Sequence, residues 1–507
     1  MLTLRMGLLA VLGLLLPAMG YAHDAAQKPA TKPNKIAIDP FQQRIVDAAR
    51  QFDKSGGQQM EKALAALMAD PGFESASASQ QSAVLMLAGT AAVYDKKLDR
   101  ARELLLRSTR VDEAAHAWYM LAFVEMLDQQ GEPAARYLSR AIELGSADLD
   151  QYNEFLVTDV LRLSKPAKDA RVKLMQALYD AGWDDNGLGA SRVWYELAEA
   201  RLQQGEPARA QRAIERVDGA MDITMLLVDR RFDGIRADIG NVPTPEYAAR
   251  RRVTRLRALV AEQPRRLDGV TELMSALLVV GEWNDVIRLS DDVQGRLKAA
   301  APDEPAFDEM GQLAWAMNLR SSALLAAGRT EEALAELKAA AATSELGQAN
   351  VSQILNLGDL YCRLGRADEA LRAIEPVGQM SGYGRMVQAS VQLRAALLKH
   401  DAPGAEQGLD YMRKHRADSE AILLEGLLFS GHLEEAAREY IAQLESVDTR
   451  ASALLSAQKF RQITTLPGDV ALADGWKAVL ARDDVMTALL RVGRVGTFGV
   501  YRDWNNP

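Results

Sequence analysis

The chain has 507 residues, a formal net charge of −9 and a hydrophobic fraction of 48%. This mild acidity argues against nucleic acid as the main partner, because chains that bind nucleic acid are usually strongly basic. No long run of alternating apolar and polar residues predicts a sheet. A chain of this length needs several cores as a globule, whereas stacked repeats share one continuous core.

The first 22 residues, MLTLRMGLLAVLGLLLPAMGYA, have the organisation of a secretory signal peptide. Arg5 precedes an apolar run, and the small residues Gly20 and Ala22 stand where signal peptidase requires them. The apolar run is shorter than the roughly 20 residues that span a bilayer. We therefore expect cleavage after Ala22, a flexible leader over residues 23–40, and a periplasmic or secreted protein without a transmembrane segment.

The stretch ILNLGDLYCRLGRADEALRAIEPV, residues 354–377, shows a pattern that recurs along the chain. Apolar residues at steps of three and four predict a helix, and Gly365 ends it because glycine readily takes the left-handed conformation. A second apolar stripe predicts a second helix. Two helices joined this tightly approach closely only where side chains are small, so Gly358 and Ala370 are expected at their contact, beside Tyr361.

The same spacing recurs in further copies, which begin near Leu85, Trp118, Trp194, Leu324 and Leu423. The pattern resembles the tetratricopeptide repeat (TPR), a helix pair of about 34 residues with Trp, Leu-Gly and Tyr on its first helix. The best match is Ile354-x2-Leu357-Gly358-x2-Tyr361-x3-Gly365-x4-Ala370-x3-Ile374. The resemblance covers roughly residues 80–446 and implies an all-α fold, a right-handed superhelical α-solenoid of antiparallel helix pairs.

Two proline-containing interruptions bear on domain organisation. Residues 222–262 fit the repeat least well, and Pro243 and Pro245 divide that segment; residues 300–309 form the second interruption. We interpret both as breaks in stacking, with two solenoid blocks as the alternative. The expected organisation is an N-terminal TPR-like solenoid over 41–240, a C-terminal one over 241–446, and a helical cap with a glycine- and aromatic-rich tail over 447–507.

The tail itself, RVGRVGTFGVYRDWNNP, carries glycine at positions 493, 496 and 499. Three glycines at this spacing disfavour a helix, yet the aromatic and β-branched residues are too numerous for a disordered segment. We expect the tail to lie extended against the last helices, or to reach back into the groove, with Phe498 and Trp504 buried.

Motifs of known catalytic sites are missing from the sequence. The chain has five histidines and one cysteine, Cys362, and it contains no HExxH, no GxGxxG, no Walker lysine and no Cys/His ligand cluster. We therefore predict a non-catalytic protein that needs no cofactor or metal. An enzyme with a site assembled between repeats is the least favoured alternative.

In the TPR family the first helix of each pair lines the groove. Transferring those positions gives the groove candidates His116, Tyr119, Phe123, Arg192, Tyr195, Glu199, Trp315 and Asn318. Trp315 stands where members that clamp peptide C-termini use lysine, so that mode of binding is not expected. For Tyr119 and Phe123, packing against the next repeat is an equal alternative.

An arginine-rich segment, residues 228–266, carries ten arginines and five acidic residues in an otherwise acidic chain. The favoured interpretation is a solvated helix face offset by neighbouring acids. The alternative is an anion-binding surface with Arg250, Arg251 and Arg255 as candidates. The sequence thus predicts a periplasmic protein–protein interaction scaffold of an envelope or export assembly, or else a binder of an anionic envelope polymer.

Overall fold

The computed structural model describes residues 39–55, 57–145, 154–240, 242–301, 304–345, 348–375, 377–463 and 465–502. In these ranges the chain forms 27 α-helices and four short β-strands. The described residues divide into two compact units, one up to residue 186 and one from residue 187 onward. The division predicted near residue 241 falls inside the second unit, and the predicted signal peptide and Trp504 lie outside the described residues.

The first unit contains nine of the described helices: α1 Pro40–Ser55, α2 Gly57–Met68, α3 Pro71–Ser75, α4 Ala78–Tyr94, α5 Leu98–Val111, α6 Ala115–Leu127, α7 Gly131–Leu144, α8 Glu154–Leu163 and α9 Lys168–Asp180. Most consecutive helices contact each other along this series, with α4 packed on α5 and α6 packed on α7; α2 also packs on α4, and α7 on α9. Their shared core is formed by buried residues of α1 to α6.

The second unit begins with α10 Ser191–Gln203, α11 Pro207–Ile214, α12 Ala220–Val228, α13 Asp233–Ile239, α14 Pro245–Glu262, α15 Leu267–Val280, α16 Trp283–Ala299, α17 Leu313–Ala326 and α18 Thr330–Ala341. It continues with α19 Val351–Arg363, α20 Ala367–Ile374, α21 Gly382–Leu398, α22 Ala402–Lys414, α23 Glu420–Phe429, α24 Leu433–Glu445, α25 Arg450–Ser456, α26 Val470–Leu480 and α27 Asp483–Val492. The strands are β1 Ser344–Glu345, β2 Gln348–Ala349, β3 Lys459–Arg461 and β4 Thr497–Tyr501.

Helix pairs stack in chain order through most of the second unit. Helix α17 packs on α18, α19 on α20, α21 on α22 and α23 on α24. Each pair also contacts the next, through α18 with α19 and α20 with α21. This arrangement confirms the predicted all-α solenoid of antiparallel helix pairs.

Small residues set the close approach of α19 and α20, as the sequence predicts. A Cβ atom on Gly358 would lie 2.5 Å from Ile374 Cγ2 and 3.7 Å from the carbonyl oxygen of Ala370. Gly365 has a φ of +76°. Its turn is closed by Arg366 N–H, which donates to the Tyr361 carbonyl at 2.8 Å. A larger side chain at position 358 would therefore push the two helices apart.

Truncation of Tyr361 tests this packing, because its side chain is only 5% exposed. We expect Tyr361→Ala to lower the free energy of unfolding by about 3–5 kcal/mol, measured in urea. The matched control is Tyr383→Ala on α21, where the tyrosine is 50% exposed, and its cost should stay near 0.5 kcal/mol. Equal losses in the two variants would contradict this account of the core.

Candidate interaction surfaces

The last helices of the second unit return to its first helices. Helix α25 packs against α12, and the backbone of Gly493 forms an antiparallel bridge with Asp229. A Cβ atom on Gly493 would lie 3.0 Å from the carbonyl oxygen of Val228. The glycine therefore permits a backbone approach that a larger residue would block, and the second unit closes on itself here.

Arginines of the 228–266 segment stabilise this closure. The fully buried Asp229 accepts hydrogen bonds from Arg231, and a second guanidinium nitrogen of Arg231 lies 2.6 Å from Glu199 Oε1. Arg230 Nε donates to the carbonyl oxygen of Leu490 at 2.9 Å. Burial raises the pKa of Glu199, although Arg231 opposes the shift. These contacts neutralise charge inside the chain rather than present it to a partner.

Residues 493–502, the tail segment, lie extended as the sequence predicts. Strand β4 within this segment runs parallel to β3 and packs against α14 and α15. Lys459 N–H donates to the Gly496 carbonyl at 3.0 Å, and Gly496 N–H donates to Gln458 Oε1 at 2.7 Å. Phe498 is half-buried, 5.8 Å from the Phe460 ring. We call the surface that holds this segment the tail slot; it is formed by β3, α14, α15 and the two residues Gly281 and Trp283 that follow α15.

Three contacts fix the end of the tail segment in the tail slot. The Gly499 amide donates to the carboxylate of Glu246. The Tyr501 ring meets the Trp283 ring edge-on, with centroids 4.8 Å apart. A Cβ atom on Gly281 would lie 2.6 Å from Tyr501 Cε2, so the tyrosine rests directly on a glycine. Burial raises the pKa of the Glu246 carboxyl, but hydrogen bonds from the Gly499 amide, from its own amide and from Thr244 together hold this pKa below its usual range.

The segment between β3 and α26 covers part of the first helices of two pairs. Asp469 accepts a hydrogen bond from Arg363 Nε on α19 at 3.0 Å and from Arg394 on α21 at 3.3 Å. Arg394 is buried, also pairs with Asp359, and places its guanidinium carbon 4.4 Å from the centroid of the Phe429 ring. The helices expected to line a groove are therefore covered here by the chain's own C-terminal region.

The groove candidates of the first unit form an aromatic face. His116 and Tyr119 are half-buried, with ring centroids 5.8 Å apart. Tyr119 and Phe123 also pack against the core of the first unit. Both residues therefore contact the core formed by α1 to α6, and packing against the next repeat stays a prediction.

The groove candidates of the second unit differ in accessibility. Tyr195 is fully buried and packs on Phe232, with centroids 5.5 Å apart, so it does not face a partner. Arg192 is exposed and hydrogen-bonded to Glu196 at 3.1 Å. Asn318 is buried, whereas Trp315 on the same helix is exposed. Glu199, the remaining candidate of this unit, forms the ion pair described above. Arg192 and Trp315 therefore have the most accessible side chains among the five.

The three anion-binding candidates also differ in accessibility. Arg255 binds the carbonyl oxygens of Gly187 and Leu188 and lies 3.3 Å from Asp218. Arg250 and Arg251 are exposed on α14, and neither forms an ion pair with a described residue. The structure thus leaves two of the three candidates accessible to an anion.

Cys362 is placed where a thiol is unreactive. Its side chain is fully buried, and burial raises the pKa of the thiol to about 12.

Among the described residues, no group of three or more His, Cys, Asp or Glu side chains could hold a metal ion. In the same part of the chain, no helix is long and apolar enough to cross a membrane.

The contacts that close the second unit were not predictable from local sequence pattern. Glu246, Gly281 and Asp469 lie far along the chain from their partners and belong to no recognisable motif. The one available signal was the spacing of the glycines at 493, 496 and 499, since glycine within an extended segment often marks a close backbone approach.

Comparisons with known proteins identify no family. No family model matches the sequence, and no curated protein matches it. Among solved structures, Naa15/Naa10 bound to HypK-THB is similar over 89% of this chain and 80% of that chain, at 12% identity and a TM-score of 0.26. The APC/C hetero-tetramer Cut9-Hcn1 is similar over 90% of this chain and 96% of that chain, at 12% identity and a TM-score of 0.26.

The P58(IPK) TPR domain is similar over 80% of this chain and 100% of that chain, at 13% identity and a TM-score of 0.21. TM-scores this low do not establish a common overall fold. The assignment of helix pairs therefore depends on the contacts described above, and the likeness to tetratricopeptide repeats stays a resemblance.

Substitution of Gly281 tests whether the tail segment rests on it. Gly281→Ala and Gly328→Ala both place alanine at a positive φ, +84° and +77°, so both should cost about 1–2 kcal/mol of unfolding free energy. No atom lies within 4 Å of a Cβ added at Gly328. Only Gly281→Ala should therefore also release Tyr501, and amide hydrogen exchange of residues 497–501 should become faster in that variant alone. Unchanged exchange there would contradict the contact.

Proposed function

We propose that this protein is a non-catalytic scaffold that binds an extended segment of another protein through its second unit. One observation carries the proposal: helices of this unit already hold an extended polypeptide, the tail segment, partly through backbone groups. Gly496 and Gly499 use main-chain amides and a carbonyl for this purpose. Backbone recognition of an extended chain tolerates different side chains, so the same surface suits a partner.

The proposed location is the periplasm or the cell exterior, in an envelope or export assembly. Support comes from the first 22 residues, whose basic start, apolar run and small residues before the expected cleavage site are typical of a secretory signal peptide. Sizing the processed protein by mass spectrometry tests this step. A chain beginning at His23 is expected, and one that retains Met1 in the cytoplasm would refute the location.

The scaffold function is tested by capturing partners with the mature chain from envelope extract at low salt. We expect one reproducible protein that, once purified, binds the mature chain saturably at a ratio of about one to one. Hydrogen exchange of the complex should show new protection on the second unit. Recovery of no such protein, or protection confined to the first unit, would refute the proposal.

A second candidate function is binding of an anionic envelope polymer through α14. Arg250 and Arg251 are exposed there, and Tyr247, one turn earlier, is 59% exposed. Two arginines near an accessible aromatic ring could contact an acidic sugar. Most of the other arginines in the 228–266 segment are paired within the chain, so this surface is smaller than the sequence indicates.

Charge reversal separates this candidate from the first. Arg250→Glu combined with Arg251→Glu should weaken binding to polygalacturonate at least tenfold, and wild-type binding should weaken as salt is raised. Arg385→Glu is the matched control, because Arg385 on α21 is also exposed and forms no ion pair with a described residue. Equal effects of the two changes, or binding indifferent to salt, would exclude the polymer.

A further inference from the structure

The tail slot has the properties of a binding site whose resident occupant is replaceable. We propose that a partner protein inserts an extended segment into this slot beside β3, and that the chain's own tail segment competes with it. This inference rests on the function proposed above, for which it names the surface, the chemistry of the partner segment and a mechanism of regulation.

The fit between β4 and β3 is imperfect. Lys459 pairs with Thr497 and Arg461 pairs with Tyr501, so two steps along β3 correspond to four steps along β4. Two residues of β4 therefore have no counterpart, and the ladder is irregular between the two pairs. A segment without this excess could pair continuously along β3 and would gain the hydrogen bonds that β4 forgoes.

Three side chains of β4, those of Phe498, Val500 and Tyr501, hold the tail segment in place. Val500 is 1% exposed and is the buried member of β4, whereas Thr497 and Gly499 are exposed. The ion pair of Arg494 with Asp233 joins two side chains that are each more than one-third exposed. Such surface pairs contribute little. The tail segment is therefore held mainly by apolar contacts in the tail slot, which an inserted segment of similar side chains would replace.

The contacts of the slot define the order of side chains that a partner segment needs. The first residue must offer an amide to Glu246 and be small, because a Cβ atom on Gly499 would lie 3.1 Å from Glu246 Oε1. The second must be β-branched or similarly compact, because Val500 packs with Ala249, Val279 and Phe460.

The third residue must be aromatic. In the tail segment the Tyr501 ring lies against Trp283 and Gly281, and the guanidinium carbon of Arg461 lies 4.6 Å from its centroid. An aromatic ring at this place would keep both the edge-on contact and the cation–π contact. The partner segment is therefore small, then β-branched, then aromatic, and proline is excluded at its first position because proline has no N–H.

A second copy of this chain is a poorer occupant than a different protein. Its tail would carry the same two extra residues and would meet the same irregular pairing with β3. Exchange of tails between copies would therefore form no more hydrogen bonds with β3 than the closed monomer does. A segment without the two extra residues would form more.

The test uses the full mature chain and two fluorescent peptides. One peptide reproduces residues 491–502, and the other lacks Thr497 and Phe498, which removes the two-residue excess while keeping the order Gly-Val-Tyr. We expect the shortened peptide to bind about tenfold more tightly by fluorescence anisotropy. On binding, the amides of residues 497–501 should lose protection from exchange, while those of residues 459–461 stay protected.

Two chain variants complete the experiment. Tyr501→Ala weakens the resident tail without changing the slot, and it should tighten peptide binding on the order of tenfold because more of the slot is vacant. Tyr383→Ala, outside the slot, should leave peptide binding unchanged. A shortened peptide with Val in place of Gly499 should bind poorly.

Three results would overturn the inference: no peptide binding to the Tyr501→Ala chain, binding that leaves residues 497–501 protected, or concentration-dependent dimers of that variant, which would make a second copy the occupant. Circular dichroism of the variant confirms its fold before binding is measured. A captured partner protein could instead protect amides of the second unit outside the tail slot from exchange. That result would support the scaffold function but refute binding in the tail slot, so failure of one proposal can be told apart from failure of the other.

Discussion

A stack of helix pairs leaves an apolar face uncovered at its end, and the second unit depends on how that face is covered. Its last helices do not end in a separate polar cap. Helix α25 packs on α12, and Gly493 bridges to Asp229. The end of the stack thus buries apolar surface against its beginning, and the many short contacts of the tail segment follow from that closure.

The closure also explains a charge pattern that looks unusual in sequence. The 228–266 segment is rich in arginine because several of its side chains meet carboxylates and carbonyls brought from distant parts of the chain. Arg230 reaches Leu490, and Arg265 lies near Glu304. Guanidinium groups suit this use because they stay charged and offer several donors in a fixed plane. A local excess of positive charge is therefore compatible with a surface that is largely neutralised.

The sequence was sufficient to predict those structural features that depend on residues close together along the chain. The spacing of Gly358, Gly365 and Ala370 was sufficient to predict one helix pair, its turn and its contact, because each of these depends on residues fewer than about 20 positions apart. The extended form of the tail was also predictable from its glycines. The contacts of Gly499 with Glu246 and of Asp469 with Arg394 depend on how many helix pairs lie between the partners and on how each pair is oriented. Local periodicity contains no information on either quantity, so these contacts could be identified only from the three-dimensional structure.

The bridge between Asp229 and Gly493 has a consequence for how the protein reaches its folded state. An open repeat array can nucleate anywhere and fray from its ends, since each repeat contacts only its neighbours. In this unit the bridge joins residues separated by most of the unit's length, and bringing them together slows the final step of folding. On the ribosome, residues 493–501 are made after every helix they contact, so closure follows synthesis of the whole unit. Until then the helix pairs can form one by one as an open array, which exposes the apolar surface that closure later buries.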